Sequence, residues 1–152
     1  MITRVLFALA SLFAVANSSI TDCGAGTSLF TITELAMDPP TTVSPGQNVS
    51  LTLKYNVPVE VDGGKVLTSL SLNGIPFAPS EGDLCQSAPC PLLPGDHDGS
   101  SWYLFPSGVS GKIGTKITWQ DNTTGQVYLC INAVLRTAAS PWFTWLRGSD
   151  EN

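Results

Sequence analysis

The side chains able to do acid–base or metal chemistry are few. His97 is the one histidine in 152 residues, and it stands between two carboxylates in Asp96-His97-Asp98. An imidazole so flanked could shuttle a proton or hold a divalent cation. The triplet lies in a polar run bounded by Gly95 and Gly99, without a second histidine or a Gly-x-Ser-x-Gly nucleophile motif elsewhere. A solvated acidic turn accounts for it. No catalytic residue, metal site or cofactor is therefore assigned.

Four cysteines, Cys23, Cys85, Cys90 and Cys130, are the second source of chemistry. As zinc ligands they lack paired Cys-x-x-Cys knuckles. The N-terminus explains them better. Met1 to Arg4 is followed by an apolar block, Val5 to Ala16, ending in the small-x-small site Ala14-Val15-Ala16. This reads as a secretory leader over residues 1–18, too short for the roughly 20 apolar residues of a membrane span. An even cysteine count behind a leader argues for two disulfides, with three pairings open. Cys85 and Cys90 enclose a workable local loop, which leaves Cys23 to close with Cys130. A closure of about 100 residues stabilises by up to ~4.7 kcal/mol in the chain-entropy picture.

The third feature is a stapled loop. Residues 73–94 hold both local cysteines and repeated prolines, so neither helix nor central strand is expected there. Its apolar members Ile75, Phe77, Leu84, Leu92 and Leu93 are too many for a solvated connection, and imply that the loop covers a greasy ligand.

Only 12% of the residues are charged, while glycine, proline, serine and threonine abound, a profile of extracellular β-proteins. Nucleic acid is excluded as a partner. Loss of Arg4 with the leader leaves a net charge of about −6, which argues against a basic grip on anionic membranes. Sequons occur at Asn48-Val49-Ser50 and Asn122-Thr123-Thr124, and one at Asn17 straddles the cleavage region. Asn122, in a turn, is the better acceptor, and Asn48 starts a strand at the surface.

The elements that must position these residues are strands. Residues 49–57 alternate Val49, Leu51, Leu53, Tyr55, Val57 with polar neighbours, the period of a half-buried strand. Residues 65–72 repeat the pattern, and 113–119 and 127–135 carry it again after a turn at 121–125. Residues 27–36 form a further strand. The polar run 96–100 breaks the chain before a short aromatic strand, Trp102 to Phe105. No segment has a helical period. Six or seven short strands without alternating helices predict an all-β, immunoglobulin-like sandwich of two antiparallel sheets. Past Thr137 the pattern fails, and the tail 138–152, with Pro141 to Leu146, is read as packing back on the domain.

Asp22-Cys23-Gly24, Gly74-Ile75-Pro76-Phe77 before Asp83-Leu84-Cys85, Cys90-Pro91, Trp119-Gln120 and a cysteine in the last strand occur in an order that resembles the ML domain. This lipid-recognition family includes small secreted sterol carriers and fungal phosphatidylglycerol/phosphatidylinositol transfer proteins. The resemblance covers residues 22–135 and implies a domain at 20–137 whose sheets part at one end to admit a lipid. By position it implies that Phe77, Trp119 and Ile131 face that cavity. Trp102, Tyr103 and Phe105 are candidates to line it or cap its entrance, and Val109 belongs to the mouth loop 106–111. That loop departs from the sterol carriers, and the Asp-Leu-Cys spacing is closer to the fungal phospholipid carriers.

The expected protein is thus a monomeric carrier of a sterol or phospholipid, secreted or held in a lysosome or vacuole lumen. It would exchange cargo with a membrane or a second lipid-transfer protein. The alternative is an accessory protein that presents microbial lipid to an immune receptor. For each strand residue, ordinary sandwich core competes with lipid contact; Phe77, in a loop, has less reason to be core.

Overall fold

The computed structural model describes residues 19–138. The leader, the Asn17 sequon and the aromatic stretch Pro141 to Leu146 lie outside them. The described residues form ten strands: β1 (Ile20–Asp22), β2 (Thr31–Asp38), β3 (Thr42–Val43), β4 (Asn48–Val57), β5 (Lys65–Leu72), β6 (Ile75–Pro76), β7 (Ser80–Asp83), β8 (Gly95–Leu104), β9 (Lys112–Gln120) and β10 (Val127–Thr137). They form two sheets. The larger runs β1-β10-β9-β5-β6, with β3 beside β10 and β7 beside β5; the smaller is β2-β4-β8. All pairings are antiparallel except the two-residue β3–β10 contact. The architecture is the all-β, two-sheet sandwich that the alternating segments predict.

Three local readings are corrected. β8 is one continuous strand paired with β4 from Asn48↔Leu104 to Val57↔Gly95, where the polar run suggested a break. The loop after β5 contributes edge strands β6 and β7 and a single helical turn, α1 (Leu84–Ser87). Asp83 caps that turn by accepting from the Cys85 N–H at 2.9 Å, and Cys85–Cys90 staples it. Finally, Leu84 and Leu92 are wholly buried in the main core, so two of the loop's five apolar members close the sandwich itself, while Ile75, Phe77 and Leu93 stay exposed.

Cys23 and Cys130 form the second disulfide, 107 residues apart. The Cys23 N–H donates to the Cys130 carbonyl at 2.9 Å, so the bridge joins neighbouring strands of one sheet rather than the two layers. Beyond it, the N–H groups of Leu29 and Phe30 donate to Val127 and Tyr128 before Thr31 pairs with Asn56 in the other sheet. The chain therefore crosses between layers at Phe30.

That crossing seats an aromatic cluster at one end of the sandwich. The Phe30 ring stacks on Tyr55 and Tyr128, with centroids 5.7 and 5.2 Å away. Tyr55 meets Trp119 edge-on at 5.6 Å and lies parallel to His97 at 5.5 Å. Such pairs add about 0.5–1.5 kcal/mol each beyond area burial. Gly64 lets β5 enter this region, because a Cβ there would lie 2.6 Å from the Gln120 carbonyl oxygen and 2.9 Å from the Tyr128 ring.

The same end is locked by Asp121. Its Oδ1 accepts from the N–H groups of Thr124 (2.6 Å) and Thr123 (2.8 Å) and from the Thr124 hydroxyl (2.9 Å). Its Oδ2 accepts from the Tyr128 hydroxyl at 3.0 Å. The Thr124 bonds, with those from Thr123 and Tyr128, lower the carboxyl from 3.8 to about 2. Burial, helped by Asp121, raises the Tyr128 hydroxyl to about 12. A folded-state pKa below the unfolded value gives stability that is present above about 3.8 and is lost as pH falls towards 2. Asp121→Asn is expected to be less stable at pH 6 and to lose less stability between pH 4 and 2. Thermal melts across that range check this, and parallel acid limbs for both proteins would contradict it.

Candidate functional site

The register of the larger sheet sets its inner face out in rows across β5, β9 and β10. From one end these are Leu72, Ile113, Leu135; then Leu70, Thr115, Ala133; then Thr68, Ile117, Ile131; then Val66, Trp119, Leu129. In the smaller sheet the rows are Val49, Tyr103; then Met37, Leu51, Ser101; then Leu35, Leu53, Gly99; then Ile32, Tyr55, His97. The first three rows of the larger sheet and the first two of the smaller one line a cavity of about 480 Å³. The remaining rows bring in the aromatic cluster and its surroundings, where the sandwich is filled.

The cavity wall is almost wholly hydrocarbon. Its polar side chains are those of Thr68, Ser101, Thr115 and Tyr103, and among the described residues no carboxylate or amine lines it. At the far end Phe105 and Val109 pack with Val43, Val49, Ile113 and Leu135. Among the wall residues Leu70, Phe77 and Tyr103 are strongly exposed, the last two at 55% and 62%, and they mark a mouth between the β5–β6 edge and strand β8. Phe77 is held there by its own N–H, which donates to the Leu70 carbonyl at 2.9 Å.

The structure brings Phe77, Phe105, Val109 and Ile131 together on the cavity wall. Trp119 is not on it. It shares the inner face but lies one row deeper, 8% exposed and wedged against Tyr55. Trp102 is on the other side of its strand, 76% exposed, because alternation turns it away from Tyr103 and Phe105. Met37, Leu70, Thr115 and Ala133 are wall residues that the sequence reading did not single out. The parity of their strands carried the signal, once register is known.

The acid–base candidate takes a structural place. His97 faces inward, stacked on Tyr55, with Nε2 2.7 Å from the Leu93 carbonyl oxygen. Asp96 and Asp98 point outward, and Asp96 accepts from the Asn56 amide at 2.8 Å. Adjacent strand residues face opposite ways, so the three cannot converge on one ion. Among the described residues no group of three His, Cys, Asp or Glu side chains is placed to hold a metal.

A sequence model of the ML domain matches residues 17–137. The chain belongs to the ML-domain family. ML domains bind and transfer lipids, which suits a cavity of this lining. A Dictyostelium discoideum protein provisionally named a phosphatidylglycerol/phosphatidylinositol transfer protein is 28% identical over 137 residues, 85% of this chain and 96% of that one. In fold, this ML domain is similar to a Niemann-Pick type C2 protein from the Japanese carpenter ant (TM-score 0.61, 11% identity, 78% of this chain and 98% of that one). It is also similar to chicken MD-1, whose structure was determined in complex with lipid IVa (TM-score 0.51, 11% identity, 77% and 87%).

The two aromatic positions should separate cleanly. Trp119→Ala, in the filled rows, is expected to cost about 3–5 kcal/mol of unfolding free energy. Phe77→Ala, at the exposed mouth, should change it by no more than about 0.5 kcal/mol. Urea unfolding of both variants tests this, and similar losses at the two sites would refute the assignment of filled and open ends.

Proposed function

We propose that this protein is a lipid carrier that passes through the secretory pathway and holds a phospholipid, in preference to a sterol, with its hydrocarbon between the two sheets. The observation that carries this reading is the 480 Å³ apolar cavity between the parted rows. Its size falls within the ~300–1,000 Å³ of small-molecule sites. Left unfilled, an apolar space of that volume would cost on the order of 11 kcal/mol at ~24 cal/mol per Å³, comparable with the whole stability of a domain. Water entering by the mouth reduces that cost, and a hydrocarbon guest removes it. Burying on the order of 350 Å² of lipid surface at ~25 cal/mol/Å² returns ~9 kcal/mol, enough for micromolar binding after association costs.

Two features favour a phospholipid. The mouth is open at the side, with the Ser101 and Thr68 hydroxyls on the wall to meet a polar head, while the rest of the slot is hydrocarbon. The Dictyostelium relative carries a phospholipid-transfer name. Phe77, Phe105, Val109 and Ile131 contact the acyl part in this reading, and Trp119 supports its floor from below. The two disulfides fit the oxidising compartment that the leader predicts, with residues 20–137 as the working domain. Exchange with membranes occurs through the mouth, without chemistry on the lipid.

Ala133→Phe tests the site directly, since it adds a ring to the middle row without touching the aromatic cluster. It is expected to weaken binding of a fluorescent phospholipid by about tenfold or more while the melting temperature holds or rises. Native mass spectrometry of the secreted wild-type protein should show co-purified phospholipid. Bare protein that also fails to bind both phospholipid and sterol probes would end the carrier reading.

A further inference from the structure

The outer face of the smaller sheet changes character along its length. Towards the filled end it is polar: Lys54 pairs with Glu34 and lies opposite Asp98, and Asn56 bonds to Asp96. In the last two rows the same face of β8 presents Trp102 and Leu104, 76% and 54% exposed. They are no part of the cavity wall, and β8 is an edge strand whose free backbone groups invite pairing with another chain. Their cross-strand partners are Ser50 and Asn48, the two ends of the sequon Asn48-Val49-Ser50. Asn48 is exposed and Val49 is buried, so the Asn48 side chain points to the outer face.

We propose that Asn48 carries an N-linked glycan whose first sugars pack over Leu104 and Trp102. Side chains directly opposite in an antiparallel pair have Cβ atoms about 4.5–5.5 Å apart, and the diagonal neighbour lies within reach of long groups. Leu104 holds the first position relative to Asn48 and Trp102 the second. The C–H face of an N-acetylglucosamine ring suits an indole and an isobutyl group, while its hydroxyls remain in water. Attachment forms a bond from Asn48 Nδ2 to the anomeric carbon of a lipid-pyrophosphate-linked oligosaccharide. The anomeric carbon–phosphate oxygen bond breaks, the lipid pyrophosphate leaves, and the amide gives up one proton. Transfer to the emerging chain precedes β4–β8 pairing. In the folded protein the glycan shields the apolar outer patch and keeps strand β8 from docking on a second copy.

The inference rests on the secretory route given above, and the test separates the two. The full chain is secreted from a eukaryotic cell line, its glycans are released enzymatically in ¹⁸O water, and the peptide containing residue 48 is weighed. A labelled aspartate at position 48 is expected. Trp102→Ala should then lower the melting temperature by about 3 °C in glycosylated protein and leave it unchanged in an Asn48→Gln background. Asn48→Gln alone should self-associate by light scattering, Asn122→Gln should not, and adding Trp102→Ser to Asn48→Gln should restore the monomer. Secreted protein with both disulfides formed but residue 48 unmodified overturns the inference and leaves the carrier route intact. Equal Trp102→Ala shifts in both backgrounds overturn the packing. A chain retained in the cytosol with reduced cysteines overturns the route and the inference together.

Discussion

A β-sheet with an apolar inner face has to cover it, and every feature of this molecule follows from covering only part of it. Three rows of the larger sheet and two of the smaller face a space that no side chain among the described residues fills. Such a sandwich cannot draw its stability evenly along its length. The burden falls on the filled rows, where four rings interlock around Tyr55 and Phe30 and where Leu84, Leu92 and Leu129 are fully excluded from water. Both disulfides also act away from the mouth. Cys85–Cys90 fixes the turn that delivers Leu84, and Cys23–Cys130 ties the first strand to the last just before the chain crosses layers at Phe30.

Much of the fold was legible because half-buried strands announce themselves by a period of two. β4, β5, β9 and β10 do so, and their register follows from which residues face in. β8 did not. Its inward positions are His97, Gly99 and Ser101 before Tyr103, and its outward ones are Asp96, Asp98 and Ser100 before Trp102. An inner face built of glycine and serine shows no hydrophobic alternation. Ser101 on the cavity wall and Gly99 in the filled row beside it are thus the residues that erased the strand's signal. β1 and β3 are too short to carry any period.

The site was legible in part for a related reason. A loop phenylalanine with no strand to belong to was read as facing the cavity, and Phe77 lies on its wall. Strand residues are harder, since parity tells which face a side chain takes but not how far along the slot it lies. Trp119 and Ile131 have the same parity and differ by one row, which is the difference between filled core and cavity wall. Trp102 failed by face rather than by depth: aromatic content drew attention to 102–105, whereas alternation divides that run into two outward and two inward residues.

The side on which the slot opens is decided by connectivity. On the β1–β2 side the backbone passes from one sheet to the other at both ends of the slot, through residues 23–30 at the filled end and again between β2 and β3, which pairs with β10 at Arg136 and Thr137. On the opposite side β8 and the β5–β6 edge have no ladder between them, and near the mouth their inner residues are either small, as Ser101 is, or at the rim, as Leu70 and Tyr103 are. Across the larger sheet the middle row, Thr115 and Ala133, is again short. Sheets in a sandwich lie about 10 Å apart, a spacing that long side chains would fill. Short inner side chains in that row leave room between the sheets, so side-chain size contributes to the depth of the cavity, and the path of the chain sets its entrance.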